Sequence, residues 1–278
     1  MLKMKILNHA SFFTGIGVFD LAAQEAGFNN NHASFFTGIG VFDLAAQEAG
    51  FNNVFQVEID SWCQSILKQN FPHTKKYIDI HDFNGTQYRR RIDIVSGGFP
   101  CQDISVSGKG EGITGKKSSL WKQYHRCISE ILPGYVLIEN SPQLKNRGLE
   151  TILYDLSEIG YDAEWNCFFA SEFGKYHHRE RMYILAYPNV QRWRGILHFV
   201  KGSLIETNRE TNTLDSSRHP FLQFEKRIGE PAVFGVVDGL AKKLDALKRL
   251  GGCGNAVVKD IPLMIFNVIS DLENQIHN

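Results

Sequence analysis

The sequence carries no excess charge of either sign. Its 30 Lys and Arg residues balance 30 Asp and Glu residues, so the formal net charge at pH 7 is zero. A field from the whole molecule therefore cannot account for binding to a nucleic acid. If the chain binds one, the fold must bring basic side chains together locally.

Cysteines are few, and long apolar runs are missing. The five cysteines are widely spaced and contain no Cys-x-x-Cys pair. This argues against a disulfide framework or a zinc site and fits a reducing cytoplasm. No apolar run approaches the roughly 18 residues of a transmembrane helix, and the start of the chain does not read as a signal peptide. A length of 278 residues with 43% hydrophobic residues suits one large domain, or one domain plus a small appendage.

One segment of 23 residues occurs twice in succession. Residues 8–30 and 31–53 are identical letter for letter, and both read NHASFFTGIGVFDLAAQEAGFNN. Two copies are too few for a solenoid. Each copy has the pattern of a strand, a glycine turn and a helix, which in the second copy are Ala33–Phe36, Thr37–Gly40 and Val41–Ala49.

Only one copy can fill a given strand position of a sheet. Gly38 of the second copy lies 20 residues before Glu58, the spacing at which nucleotide-binding folds place an acid near the ribose hydroxyls. Gly15 of the first copy would need a long insertion to reach the same acid. We therefore predict that the second copy forms the strand, although Lys5–Leu7 gives the first copy a better upstream strand.

Strand and helix patterns alternate through the rest of the chain. The predicted strands are Val54–Glu58, Tyr77–Asp79, Ile92–Ser96, Tyr135–Ile138, Glu164–Ala170 and Met182–Ala186. The predicted helices are Ser61–Gln69, Ser119–Ile131, Gly148–Ile159 and Ile261–Ile276. This alternation predicts a doubly wound, mostly parallel α/β sheet. Residues 188–230 are polar and read as an irregular insert.

Polar groups stand at or just beyond the ends of four predicted strands. They are Glu58, Asp79, Cys101 and Glu139. Because open α/β sheets bind ligands beyond the carboxyl ends of their strands, we expect these four side chains to share one site.

Four motifs follow one another in a distinctive order. They are Gly97–Gln102 (GGFPCQ), Glu139–Pro142 (ENSP), His177–Arg181 (HHRER) and Gly254–Val258 (GNAVV). This series closely resembles that of bacterial and phage C5 cytosine methyltransferases, over nearly the whole chain except residues 188–230. The resemblance implies a Rossmann-like fold of the class I methyltransferase type.

The resemblance assigns catalytic roles that the chemistry also requires. Cytosine C5 is a weak nucleophile, and addition of a thiolate to C6 activates it. Cys101 matches the family's nucleophile, and Glu139 matches the residue that protonates or hydrogen-bonds N3 of the base. Arg179 and Arg181 match the pair that supports this glutamate. Because C5 is out of reach in a stacked duplex, the base must be flipped out.

The resemblance also implies S-adenosyl-L-methionine as the cofactor, and we expect no metal. Glu58 would bind the ribose hydroxyls, Asp79 the adenine amino group, and Pro100 would line the methyl-donor side. The remaining matches lie in the glycine loop, one helix and the closing motif: Phe36, Gly38, Gly40, Leu120, Asn255 and Val257.

The resemblance also predicts domain organisation and partners. Residues 1–187 would form the cofactor-binding catalytic domain, 188–230 a small target-recognition segment, and 231–278 would return to the catalytic domain. Double-stranded DNA is the implied substrate, and we expect a monomer without membrane contacts. Whether a cognate restriction endonuclease accompanies it in the cell stays open.

Two alternatives also stay open. The same motifs occur in a branch of the family that resembles tRNA cytosine methyltransferases. The second alternative is a catalytically impaired, DNA-binding pseudoenzyme, suggested by the duplicated first motif, by Val41 where the family has glycine, and by a lengthened stretch before Asn255.

Overall fold

A computed structural model describes residues 29–100, 119–175, 178–189, 195–211 and 257–277. The strands in these ranges are β1 Asn31–Phe35, β2 Asn52–Val57, β3 Lys75–Tyr77, β4 Ile94–Gly97, β5 Tyr135–Asn140, β6 Tyr161–Phe169 and β7 Glu180–Pro188. They form one sheet in the order β3-β2-β1-β4-β5-β7-β6.

The sheet is mostly parallel. All neighbouring pairs from β3 to β5 run parallel, whereas β7 is antiparallel to both of its neighbours, β5 and β6. The strand order reverses between β1 and β4, and open α/β sheets bind ligands at such a switch point. The predicted doubly wound, mostly parallel α/β fold is confirmed.

Helices cover both faces of the sheet. They are α1 Val41–Glu48, α2 Ser61–Asn70, α3 Ser119–Ile131, α4 Leu144–Arg147, α5 Leu149–Glu158, α6 Ile196–Thr211 and α7 Asp260–His277. On one face α3 and α5 bury Ile128 and Ile152, and on the other α1, α6 and α7 bury Ala45, Val200 and Ile265. Within the described ranges, none of these helices combines the length and the apolar character needed to cross a bilayer.

The second copy of the repeated segment supplies β1 and α1. Its strand lies between β2 and β4 and pairs parallel with both. The prediction that this copy enters the sheet is therefore confirmed. Residues 1–28, which contain nearly all of the first copy, lie outside the described residues.

A buried polar network holds this unit together. The His32 ring bonds Asn53 Oδ1 at 2.7 Å and Ser96 Oγ at 2.8 Å, and burial lowers the pKa of His32 to about 4. Ser34 Oγ donates to the Asp43 carboxylate at 2.9 Å, while burial raises the pKa of Asp43 to about 6. Because all but Ser96 belong to the repeat, β1, α1 and the start of β2 form one bonded unit that Ser96 joins to β4.

Two predictions about local structure are wrong. Residues 188–230 were expected to be irregular, but Ile196–Thr211 form helix α6, which is stabilised because residues including Val200 are buried against the sheet. The third strand is Lys75–Tyr77, so Asp79 lies beyond its end. In the turn that follows, the Asp79 side chain accepts a hydrogen bond from the His81 N–H. The assignment of target recognition to 188–230 stays a prediction.

The second copy can be told from the first by single substitutions. Phe35 is fully buried and contacts the rings of Phe55 and Tyr124. We expect Phe35→Ala to lower the free energy of unfolding by about 3–5 kcal/mol. The matched change Phe12→Ala should cost less, because it leaves the ring contacts of Phe35 in place. Chemical denaturation measures both, and equal losses would contradict the placement of the second copy in the core.

Candidate active site

The carboxyl ends of β1 to β5 surround a cleft of about 600 Å³. Most of the predicted site residues line it: Phe36, Gly38, Glu58, Asp79, Pro100, Leu120, Glu139, Arg179, Arg181 and Val257. Cys101 and Asn255 lie outside the described residues. Cys101 directly follows Pro100, the last described residue of its loop.

Glu58 ties the glycine loop to the start of α2. Its Oε2 accepts a hydrogen bond from the Gly38 N–H at 2.6 Å, and its Oε1 accepts one from the Asp60 N–H at 2.7 Å. Gly38 has a φ of 58°, a left-handed conformation that glycine adopts without strain. The carboxylate is thus fixed at the cleft wall, and each oxygen keeps a lone pair for a further donor.

Gly40 packs closely against α2. It is not among the described residues that line the cleft. It precedes α1 with a φ of 88°, and a Cβ there would lie 2.5 Å from Phe71 Cε2 and 2.9 Å from Leu67 Cδ2. Close packing of the loop against α2 accounts for the glycine, and its contact with a cofactor stays a prediction.

Two glycines permit the chain to leave β4 beside β5. A Cβ on Gly97 would lie 2.7 Å from the Phe35 carbonyl oxygen. A Cβ on Gly98 would lie 2.7 Å from Glu139 Oε2. The missing side chain of Gly98 thus makes room for the Glu139 carboxylate at the floor of the cleft.

Glu139 is a buried carboxyl with a cationic partner. Its Oε1 lies 2.8 Å from Arg181 Nε. The two side chains meet because β7 runs antiparallel beside β5, with Tyr183 opposite Glu139. Burial raises the pKa of Glu139, and the charges of Arg181 and Arg179 oppose that rise. Burial thus favours the protonated form of this carboxyl group, whereas the two arginines favour its ionised form.

Asn140 connects the Glu139 strand to the loop that leads to Cys101. Its Nδ2 donates to the Phe99 carbonyl oxygen at 3.2 Å, and its Oδ1 accepts from the Ser141 N–H at 2.8 Å. These bonds fix the main chain two residues before Cys101 relative to β5. The main chain at Phe99 is thus held beside the strand that carries Glu139.

Several apolar residues that line the cleft were not predicted from the sequence. Ile59 and Ile78 are 68% and 62% exposed and both line it. They stand next to Glu58 and Asp79, so adjacency to a strand-end acid was the signal available. Val41 also lines the cleft. It stands where the motif series of C5 cytosine methyltransferases has glycine.

A model of one known protein family matches most of the chain. The family model for C-5 cytosine-specific DNA methylases matches residues 30–230, well over half of the chain. The match begins at residue 30, one residue before the second copy of the repeat. The chain belongs to this family.

Type II methyltransferases match parts of the chain. The type II methyltransferase M.CviJI of Paramecium bursaria Chlorella virus IL3A is 33% identical over 131 residues, covering 47% of this chain and 36% of that protein. M.Sau3AI of Staphylococcus aureus is 36% identical over 136 residues, covering 45% and 32%. The matched part of the chain thus spans about a third of the length of these relatives.

Solved structures of methyltransferases share the fold. The Entamoeba histolytica methyltransferase EhMeth has a TM-score of 0.50 and 19% identity, covering 56% of this chain and 52% of that one. The S. pombe Dnmt2 methyltransferase has a TM-score of 0.50 and 20% identity, covering 61% and 55%. At these identities the likeness supports the fold alone.

The fit of Gly98 against Glu139 predicts a measurable effect on stability. Gly98→Ala places a methyl group where the carboxylate lies and should lower the free energy of unfolding by about 1–3 kcal/mol through overpacking. Gly202→Ala is the matched control, because Gly202 lies in α6 with no atom within 4 Å of its Cβ position. There alanine should be neutral or stabilising by up to about 1 kcal/mol. Denaturant titration that finds both variants equally stable would contradict the close approach.

Proposed function

We propose that this chain transfers a methyl group from S-adenosylmethionine to C5 of a flipped-out cytosine in DNA, through a covalent bond between Cys101 and C6. One observation carries the proposal. The buried Glu139 carboxyl, paired with Arg181 and with a raised pKa, lies in the same cleft as Glu58 and Asp79. Membership of the C5 methylase family supports the same chemistry.

The cleft suits a nucleoside cofactor. Its volume of about 600 Å³ is within the range of small-molecule sites. The Glu58 carboxylate would accept from ribose hydroxyls and Asp79 from the adenine amino group, while Ile59 and Ile78 offer exposed apolar surface beside them. When bound, S-adenosylmethionine supplies an electrophilic methyl group. The other residues proposed to hold it are Phe36, Gly38, Gly40, Pro100, Leu120, Asn255 and Val257.

The chain's own groups divide the reaction between them. The Cys101 thiolate adds to C6 of the base, and the Glu139 proton or hydrogen bond at N3 takes up the electron density that this addition pushes into the ring. Arg181 holds the Glu139 carboxyl at that atom. Once C5 carries the methyl group, loss of its proton to a base and departure of the thiolate restore the aromatic ring and the free Cys101.

Double-stranded DNA is the proposed partner, and residues 188–230 are proposed to read its sequence. Because Ile196, Leu197 and Val200 are buried in the core, base contacts must come from other residues of the segment. Phosphate contacts would make DNA affinity fall with salt. Relatives named as type II methyltransferases motivate a search for a cognate endonuclease, which the chain itself does not identify.

Covalent trapping tests this proposal. We expect duplex DNA containing 5-fluorocytosine in varied contexts to form a denaturation-resistant adduct in the presence of S-adenosylmethionine. Fluorine at C5 cannot leave as a proton would, so the bond between Cys101 and C6 persists. Cys101→Ala should form no adduct. Adducts with tRNA but not with DNA would instead favour the tRNA alternative, and binding of DNA without cofactor binding or adduct would favour the pseudoenzyme.

The role of Glu139 predicts a pH dependence. Protonated Glu139 donates to N3, so the wild-type rate of adduct formation should fall as the pH rises through the pKa of this group. Glu139→Gln keeps an N–H donor but cannot titrate. The ratio of wild-type to variant rates should therefore fall with pH, by up to about tenfold per unit, while Cys101 titrates in both proteins. A ratio that stays constant from pH 5 to 9 would contradict the assignment.

A further inference from the structure

His81 makes two hydrogen bonds to one oxygen of the Asp79 carboxylate. Asp79 Oδ1 accepts from the His81 N–H at 2.9 Å and bonds the His81 ring through Nδ1 at 2.7 Å. A carboxylate only accepts, so Nδ1 carries the proton of this bond. Among the described residues, none donates to Asp79 Oδ2. Both residues line the cleft.

These two bonds fix the character of the acid as well as its orientation. The backbone N–H of His81 and then its ring lower the pKa of Asp79, so the side chain stays an ionised acceptor. Because Oδ1 makes both hydrogen bonds, turning the carboxylate away from His81 would break both of them. Oδ2 is left as the oxygen available to a donor that enters the cleft.

We propose that His81 is a positioning residue that sets the preference of this site for a 6-aminopurine by holding Asp79 Oδ1 and leaving Oδ2 to the exocyclic amino group. The inference rests on the proposed role of Asp79 in binding the cofactor's adenine. A 6-amino group donates a hydrogen bond to Oδ2. A 6-oxo group has only an acceptor at that position, so it would face the Oδ2 acceptor without forming a hydrogen bond. A carboxylate free to rotate would discriminate less between them.

Binding of two product analogues tests the inference in the full chain. S-adenosylhomocysteine carries the 6-amino group, and S-inosylhomocysteine carries oxygen in its place. We expect wild type to prefer the adenosyl compound by at least tenfold in calorimetry. His81→Ala should lower that preference about three- to tenfold, through weaker binding of the adenosyl compound alone, because the ring hydrogen bond that orients Asp79 is lost.

Two variants separate positioning from a general structural effect. The side-chain amide nitrogen of asparagine stands where Nδ1 stands in histidine, so His81→Asn should restore the preference to within about twofold of wild type. His73→Ala, at an exposed histidine that does not line the cleft, should leave the preference unchanged.

Other outcomes would overturn the proposed role of His81. An unchanged preference in His81→Ala, or equal weakening of both compounds, would overturn the role of His81 while leaving the proposed methyl transfer intact. Equal binding of both compounds by wild type would do the same. Failure of wild type to bind either compound, at concentrations well above those typical of such sites, would overturn the use of S-adenosylmethionine and this inference with it.

Discussion

The ion pair between Glu139 and Arg181 is the contact on which the rest of the site depends. A buried carboxylate without a partner is strongly unfavourable, so β7 must bring a cation to the end of β5. The same carboxylate needs the space that Gly98 leaves. The loop after β4 can therefore take only a path that skirts Glu139, and Asn140 fixes that path through the Phe99 carbonyl. The antiparallel strand, the glycine and the loop that leads towards Cys101 are all arranged around one buried carboxyl group.

The other half of the cleft has its own support. Glu58 is held by main-chain N–H groups of the glycine loop and of the start of α2, and the loop rests on the polar network within the second repeat copy. Because this network lies almost wholly inside Asn31–Asn53, the part of the cleft around Glu58 is built largely from one short segment. The part around Glu139 comes from β4, β5 and β7. The two halves meet where the strand order reverses, which places both beside the same cleft.

Much of this arrangement follows from sequence pattern, because strand-end acids in a parallel sheet must share one edge. The second copy could be chosen from the spacing between Gly38 and Glu58 alone. What the pattern could not give depends on contacts distant in the chain. The close packing of Gly40 depends on Phe71 and Leu67 of α2. Helix α6 (Ile196–Thr211) was not predicted because its segment is rich in polar residues. Its stability depends on the burial of apolar side chains such as Val200, which only the structure shows.

Direct analysis of the reaction product tests the central claim. The protein would be incubated with methyl-labelled S-adenosylmethionine and genomic DNA of mixed sequence, and the digested nucleosides would be identified by mass spectrometry. The account predicts label in 5-methylcytosine with wild type and none with Cys101→Ala. Label on the exocyclic nitrogen of cytosine or on adenine, or a wild-type protein that binds cofactor and DNA yet forms no 5-methylcytosine, would contradict it.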